Sequence, residues 1–465
     1  MARIGVNWVV CSDPVEIRRI VSVRSGWHRS PWYKGMRLDP GRDCILSLED
    51  GHEHHMLRAR LLAGYAGKGI DVEGMLDGQI QKLVRLIDTE LVSTEDDYRP
   101  LNLAEYVGYF TEDASSLFGY GKPFGYLDAR KDMWGYLHIS HNVIPSLASL
   151  VALSPTVRAI VQSPLLTPFL PKPTDSHGVG RLLGEIQKLV NARYGPDKVE
   201  KPDVLQAFIR SGLDRQNVEA ESLVQLLAGS GTTATVVPVV VLLLMSNPPA
   251  YRKLQQEIDA FVAEDPDLSV VTDAQAKSLP YLQAVIKEAL RCFPPIPALS
   301  PKRTSRATTL CGKHLPPNTE VSWSAWALMK NKGVFGADAA MFNPDRWLTS
   351  DAERLKAMDD IQGLVFMSKS RWQCLGKLFA YQELGKLIFE VWTFPPPPFR
   401  SPARTPDTGQ LFRRFDFILV KPLKPLRWHH YVVALVLGMD VKIVRRDNIN
   451  SGRGNVAPVG KPATP

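Results

Sequence analysis

The segment FMSKSRWQCLGK, residues 366–377, places a cysteine directly before a predicted helix. That helix is indicated by apolar residues with helical spacing at Ala380, Leu384, Leu387 and Ile388. Backbone N–H groups and the dipole at a helix N-terminus favour negative charge, so we expect Cys374 to be stabilised as a thiolate. Gly376 permits a close approach of the backbone to a ligand, and Arg371 can bind an anionic group. For Cys374 alone, a buried structural cysteine is the alternative.

Two other motifs precede this loop. Glu288 and Arg291 have opposite charges at i, i+3 on one helix face, and FNPDRW follows at residues 342–347. AGSGTT, residues 228–233, lies within an apolar segment, Glu221 to Met245, that we predict to be a central helix. Each glycine in a helix interior costs about 1 kcal/mol, and such a defect often marks a bulge or groove. Close helix packing on small residues is the alternative for this motif.

Together with HHMLR at residues 54–58, these motifs resemble those of cytochromes P450, in the family's order. The cysteine loop is similar to the filamentous-fungal form of the family's heme-binding loop. The segments Ile4 to Asp13 and Gly26 to Tyr33 resemble the pisatin-demethylase-like and benzoate-hydroxylase-like group. The resemblance runs from Arg3 to about Val444, almost the whole chain.

The resemblance implies a mainly α fold with a minor β portion, formed by one cytochrome P450-type domain over residues 1–465. It implies heme (iron protoporphyrin IX), with Cys374 as the axial ligand of the iron, and NADPH used through a separate flavoprotein reductase. The remaining heme-binding residues that it implies are Arg371, Phe366, Gly376, His54 and Arg58. It also implies oxygen activation at Thr232, beside Gly231 and Ser230, and a buried ion-pair network of Glu288, Arg291 and Arg346.

The sequence departs from the family pattern near both chemical motifs. Gly231 stands where the family usually has an acid that helps to supply protons, although water held by Thr232 and Ser230 could substitute. In the cysteine loop, Ser370 replaces a glycine and Met367 replaces a phenylalanine. A positive φ at Ser370 would be costly without glycine.

The ends and one internal segment also differ from the family. We expect an N-terminally truncated domain, because the sequence begins at the first strand of the family pattern. We expect no membrane anchor, because the most apolar run, Val236 to Met245, is short and contains Pro238. Residues 391–410 interrupt a place where the family continues directly, so we expect a retained intron, with a Pro-rich surface loop as the alternative. Sequencing the transcript distinguishes the two. We expect residues 445–465 to be disordered.

The chain of 465 residues has a formal charge of +8, with scattered basic residues. This pattern favours an acidic protein partner or peripheral contact with an anionic membrane over nucleic acid. Five widely separated cysteines without a C-x-x-C pair argue against a disulfide framework and indicate a reducing compartment. By resemblance we expect the cytoplasmic face of the endoplasmic reticulum, otherwise the cytoplasm. A reductase would dock near Arg371, Lys377 and Lys386.

The leading functional expectation is insertion of one oxygen atom of O2 into a small hydrophobic substrate, by hydroxylation, epoxidation or oxidative demethylation, in fungal secondary metabolism. Residues 143–171, rich in Leu, Val and Pro, are expected to cover an apolar pocket. A heme-thiolate rearrangement or dehydration is one alternative, because it needs no proton relay and would be compatible with Gly231. A degenerate, non-enzymatic heme protein is the other.

Overall fold

The computed structural model describes residues 1–39, 41–265, 268–297, 300–368, 370–392 and 415–445. The predicted insert at 391–410 and tail at 445–465 therefore lie almost wholly outside the described residues. Helices dominate the described chain, as predicted. The α-helices are α1 (Pro14–Val21), α2 (Gly51–Tyr65), α3 (Val72–Leu86), α4 (Leu103–Tyr120), α5 (Tyr126–Ala129), α6 (Tyr136–His138), α7 (Ile144–Leu153), α8 (Pro155–Val161), α9 (Gly178–Asn191), α10 (Val204–Arg210), α11 (Arg215–Met245), α12 (Pro248–Glu264), α13 (Asp273–Ser278), α14 (Pro280–Cys292), α15 (Ala325–Met329), α16 (Lys332–Phe335), α17 (Ala352–Gln362) and α18 (Lys377–Trp392).

Short strands form small sheets around the helices. The strands are β1 (Ala2–Gly5), β2 (Trp8–Cys11), β3 (His28–Arg29), β4 (Val92–Ser93), β5 (Pro100–Asn102), β6 (Lys302–Arg303), β7 (Thr308–Leu310), β8 (Lys313–Leu315), β9 (Glu320–Trp323), β10 (Phe415–Leu419), β11 (Arg427–His430), β12 (Ala434–Gly438) and β13 (Asp440–Arg445). One sheet has the order β1-β2-β9-β6-β3. In a second sheet, β13 pairs with β10 and β5 antiparallel and with β4 parallel. This is the minor β portion that the sequence predicts.

Helix α11 is the centre of the molecule. Asp214 caps it by accepting a hydrogen bond from the backbone N–H of Asn217, and the helix continues through Pro238 to Met245. Its long apolar segment packs against α4 on one side and against the β11–β12 hairpin on another. Thr235 Oγ1 fixes that hairpin, because it donates to the Ala434 carbonyl at 3.3 Å and accepts from the backbone N–H of Val436 at 3.2 Å.

One sequence expectation about this helix was wrong. We expected no apolar segment long enough to span a membrane, but Arg215–Met245 meets the requirement for length and composition, with a mean hydropathy of 1.9 over its most apolar window. Pro238 lies within the helix, as it does in the central helix predicted over Glu221 to Met245, and the observed helix begins earlier, at Arg215. Because 61% of that window is buried inside the protein, the helix has the character of a core helix.

Other boundaries differ from the predictions for local reasons. The Val and Ile residues from Arg3 to Cys11 predict one strand, but the structure has a hairpin of β1 and β2 there. The prolines of the region from Pro294 to Val334 predict short strands and turns, but this region also contains α15, which begins where the Ser324 hydroxyl accepts a hydrogen bond from the backbone N–H of Ala327.

Candidate active site

The cysteine loop is held by short-range hydrogen bonds in front of α18. The backbone N–H of Cys374 donates to the carbonyl of Phe366 at 2.9 Å, and Arg58 donates to the carbonyl of Gln373. A Cβ added at Gly376 would meet no atom within 4 Å, so this position borders open space. The loop therefore presents the Cys374 thiol next to a glycine that leaves room for a bound group.

The Cys374 side chain is accessible to solvent, but protein atoms surround the thiol on most sides. Burial raises the pKa of the Cys374 thiol, while the backbone N–H groups of Gly376 and Lys377 and the charge of Arg58 lower it. The thiol thus lies on the wall of an internal space. The predicted anion-favouring groups are present, but burial outweighs them, so the pKa of the thiol lies above its ordinary value.

Ser370 does not adopt the positive φ that would be costly there, and the left-handed residue of this loop is Met367, with φ of 47°. The Ser370 hydroxyl instead donates to the Met367 carbonyl at 2.7 Å and accepts from the backbone N–H of Trp372 at 3.1 Å. Ser370 also forms an isolated β-bridge with Ser22. A serine is therefore accommodated in the position of the family's glycine by its own hydrogen bonds.

Positive charge accumulates around the buried His54 of α2. Burial, and then the charges of Arg29, Arg58, Lys302 and Arg371, lower the pKa of His54 to about 2. None of these four cations forms an ion pair with a residue that the structure describes. The Nδ1 of His54 and the Nε atoms of Arg29 and Arg371 are buried without hydrogen-bond partners.

Buried or half-buried groups of one charge sign favour a compensating anion, so this cluster can bind an anion from outside the described chain. Heme has two propionate carboxylates, each of which accepts several charge-assisted hydrogen bonds. The cationic cluster, the Cys374 thiol and the open face of Gly376 therefore fit heme. The predicted heme-binding residues His54, Arg58 and Arg371 lie in or beside this cluster, and Phe366 packs against Tyr381 at 5.2 Å between ring centroids.

The predicted ion-pair network forms in the interior. The two carboxylate oxygens of Glu288 accept hydrogen bonds from Arg291 at 2.7 and 2.8 Å, and one also accepts from Nε of Arg346 at 3.0 Å. The Trp347 indole N–H and the backbone N–H of Asn343 complete the carboxylate's partners. The three charged side chains are at most 1% exposed, so the structure brings together all three residues of the predicted network.

The AGSGTT motif gives α11 an accessible stripe in an otherwise buried region. Ala228 is exposed, and Gly231 and Thr232 are half-buried, at the i, i+3 and i+4 positions of one face. The Thr232 hydroxyl donates to the Ala228 carbonyl at 2.9 Å, whereas Ser230 is buried and donates to the Leu226 carbonyl at 3.0 Å. Thr232 and Gly231 thus lie on the accessible face of the helix, and Ser230 faces away from it.

Sequence reasoning missed two buried acids beside this motif. Glu112 of α4 lies next to Ser230, and Glu383 of α18 lies next to Thr233. Burial raises the pKa of each carboxyl to about 8. The Oε2 of Glu112 and both carboxyl oxygens of Glu383 are buried without a well-formed hydrogen bond. The sequence shows an acid within each of these two apolar helical segments. Only the packing of α4 and α18 against α11 reveals that both acids lie beside α11.

The raised pKa values of these two carboxyls determine how they make the free energy of unfolding depend on pH. The unfolded chain releases the Glu383 proton near pH 4.5, whereas the folded chain retains it to about pH 8. Folding stability should therefore fall as pH rises from about 4.5 to about 8, by up to ~1.4 kcal/mol per pH unit for each such group. Glu383→Gln should remove this contribution, so chemical denaturation should show a flatter pH dependence than in the original chain.

Glu353→Gln is a suitable control for this measurement, because Glu353 is an exposed acid of α17. It should keep the slope of the original chain. Equal slopes for Glu383→Gln and Glu353→Gln would contradict a neutral buried carboxyl at Glu383.

Comparison with known proteins identifies the family and agrees with the fold. The family model for cytochrome P450 matches residues 8–392. A cytochrome P450 monooxygenase ABA1 from Pyricularia oryzae is 34% identical over 450 residues, covering 96% of this chain and 84% of the relative. The monooxygenase aba1 of Botryotinia fuckeliana is 31% identical with the same shares covered, and abl1 of Leptosphaeria maculans is 30% identical over 93% and 74%.

The chain belongs to the cytochrome P450 family, and it is a fungal-type monooxygenase of that family. Members of the family use heme and receive electrons from an NADPH-dependent reductase. The predictions of family, fold class, enzyme class and cofactor are therefore confirmed.

Proposed function

We propose that this monooxygenase binds heme through Cys374 and inserts one oxygen atom of O2 into a small hydrophobic substrate in fungal secondary metabolism. The reactions proposed are hydroxylation, epoxidation or oxidative demethylation. The observation that carries the proposal is the accessible Cys374 thiol in a loop held by Arg58, a member of the uncompensated cationic cluster around His54. The relatives' shared description as monooxygenases favours oxygen insertion over rearrangement, dehydration or a non-enzymatic role.

The residues of this chain have separate tasks in the proposed site. Cys374 is the iron ligand, and Arg58, Arg371 and His54 bind the propionates. Bound heme supplies the chemistry of oxygen activation. Thr232 can hold a proton at Oγ1 beside the accessible stripe of α11, once that hydroxyl turns from the Ala228 carbonyl. The apolar residues of α11 exclude bulk water around the stripe.

The expected docking surface for a reductase needs one correction. Lys386 is fully buried and forms ion pairs with Glu73 and Asp77 at 3.0 and 2.7 Å, so it cannot contribute to a surface. Arg371 is assigned above to a propionate, so of the three cations predicted from the sequence only the half-buried Lys377 remains for a reductase. We propose that an acidic flavoprotein face docks there.

We also propose peripheral contact with a membrane through the region predicted to cover the pocket. Several apolar side chains of this region are exposed. They are Val143, Leu147, Leu150, Ile160, Leu165 and Phe169, the last two each 83% exposed. Exposed apolar side chains concentrated in one segment indicate an interaction surface, and a lipid surface on the cytoplasmic face of the endoplasmic reticulum is consistent with an apolar substrate.

Spectroscopy and turnover test the proposed function. The purified holoprotein should give the thiolate-type reduced carbon-monoxide difference spectrum, and with NADPH and a fungal reductase it should convert an apolar test substrate to an oxygenated product. An ¹⁸O₂ atmosphere should label that product with one heavy oxygen atom. Product without label, or product without NADPH, would favour rearrangement or dehydration, while heme binding without any product would favour the non-enzymatic alternative.

A further inference from the structure

The structure has room for a side chain at position 231, although the residue there is a glycine. A Cβ at this position would meet Leu435 Cδ2 at 3.4 Å and His141 Nε2 at 3.9 Å, both ordinary contacts without a clash. The place of the family's usual acid is therefore open and is bordered by an imidazole from another part of the chain. Thr232, the next residue, borders the accessible stripe of α11.

The position of His141 is fixed by its backbone. It lies in the wide helical turn Ile139–Val143, between α6 and α7, and its carbonyl accepts a hydrogen bond from Nε2 of His429 in β11. Leu435, the other neighbour of Gly231, belongs to the same β11–β12 hairpin. The imidazole of His141 itself makes no hydrogen bond to any residue that the structure describes, so both of its nitrogens remain available.

The protonation state of His141 suits a relay. Burial, and then the nearby His429, lower the pKa of His141 to about 4. His429 is the only titratable group of the described chain that contributes to this shift. At neutral pH the His141 ring is therefore neutral, with one nitrogen that donates a hydrogen bond and one that accepts.

We propose that His141 replaces the missing acid as the proton-relay residue beside Gly231 and Thr232. One ring nitrogen accepts a proton from a water molecule connected to solvent, while the other releases its proton to water held at Thr232. The ring ends neutral, as the opposite tautomer, and no electron is transferred in this step. The proposal rests on the proposed monooxygenase function, because oxygen activation is what consumes the protons.

Turnover provides the first test. His141→Phe should lower the fraction of NADPH electrons recovered in product about tenfold or more, in line with the loss of a positioned proton-transfer group, and the electrons should appear in hydrogen peroxide. Gly231→Asp in the His141→Phe background should restore product, because it returns a carboxyl to the open space. His138→Phe is the matched control, because His138 is an exposed histidine one turn earlier. This variant should direct the same fraction of NADPH electrons into product as the original chain. Unchanged coupling in His141→Phe would overturn the relay.

A titration provides a second test that needs no turnover. In the reduced, carbon-monoxide-bound holoprotein, NMR of ¹³C-labelled histidine identifies the His141 signal by its absence from His141→Phe. Gly231→Asp should raise the pKa of His141 by at least about one unit, because a carboxylate within a few ångströms favours the imidazolium. An unchanged titration would overturn the geometry on which the relay depends. If the shift occurs but the original chain makes no oxygenated product, the proposed function fails, and the relay fails with it.

Discussion

Cys374→Ser should abolish the thiolate signature of the reduced carbon-monoxide spectrum while most helical content remains. The variant loses the sulfur that we propose as the iron ligand, and a hydroxyl is not a soft, readily deprotonated donor. The loop itself should persist, because its closing hydrogen bond joins the backbone N–H of residue 374 to the Phe366 carbonyl and does not involve the side chain. Difference spectroscopy and circular dichroism on the same preparation measure both parts of the prediction.

Cys311→Ser is the control for this variant. Cys311 is also an accessible free cysteine, but it follows β7 in a small hairpin that the motifs do not involve. Its spectrum should match that of the original chain. An unchanged spectrum in Cys374→Ser would remove this residue from the iron and, with it, the basis of the proposed function.

Glu288→Ala and Arg291→Ala should each yield little heme-loaded protein. Removal of Glu288 leaves the fully buried Arg291 without a carboxylate partner among the described residues and leaves Arg346 with only the partly exposed Asp338. It also leaves the Trp347 indole N–H without its acceptor. Breaking such a buried pair costs about 3–5 kcal/mol. That is a large share of the total stability of an ordinary domain. Heme absorbance per unit of purified protein and denaturant unfolding measure the effect.

A surface pair of the same spacing provides the comparison. Glu185 and Lys188 in α9 lie at i, i+3 with 2.8 Å between the charged atoms, but the lysine side chain is 63% exposed. Glu185→Ala should change stability by less than about 1 kcal/mol, because exposed ion pairs contribute little. Normal heme loading in both Glu288→Ala and Arg291→Ala would show that the buried network is not required.

The sequence predicts the elements whose causes are local. An apolar segment predicts α11, and helical spacing predicts α18. The Asp13-Pro14 pair predicts the start of α1, because a capping residue precedes a proline at the first helical position, and the Asp13 side chain there accepts from two backbone N–H groups. The Glu288 network is also predictable, because its residues lie in recognisable motifs. Local patterns thus predict these helices, whereas the residues of the candidate site were predicted from the resemblance of the motifs to the family.

Features that depend on distant packing could not be read from the sequence. Lys386 looks like an ordinary helical surface lysine, and only the approach of α3, with Glu73 and Asp77, shows that it is buried. The left-handed residue at Met367 could not be distinguished from Ser370 by composition. His141 lies 90 residues from Gly231 in the sequence, so only the folded structure places its imidazole beside that glycine.

The pairing of β13 has a consequence for biosynthesis. This strand hydrogen-bonds to β4 and β5, which are made some 340 residues earlier, and to β10. While the ribosome is still translating, β4 and β5 therefore have no β13 partner, and unpaired strand edges favour association with other chains. At roughly 5–20 residues per second this interval lasts on the order of tens of seconds. Chaperone occupancy of the nascent chain should accordingly persist until Asp440–Arg445 has left the exit tunnel.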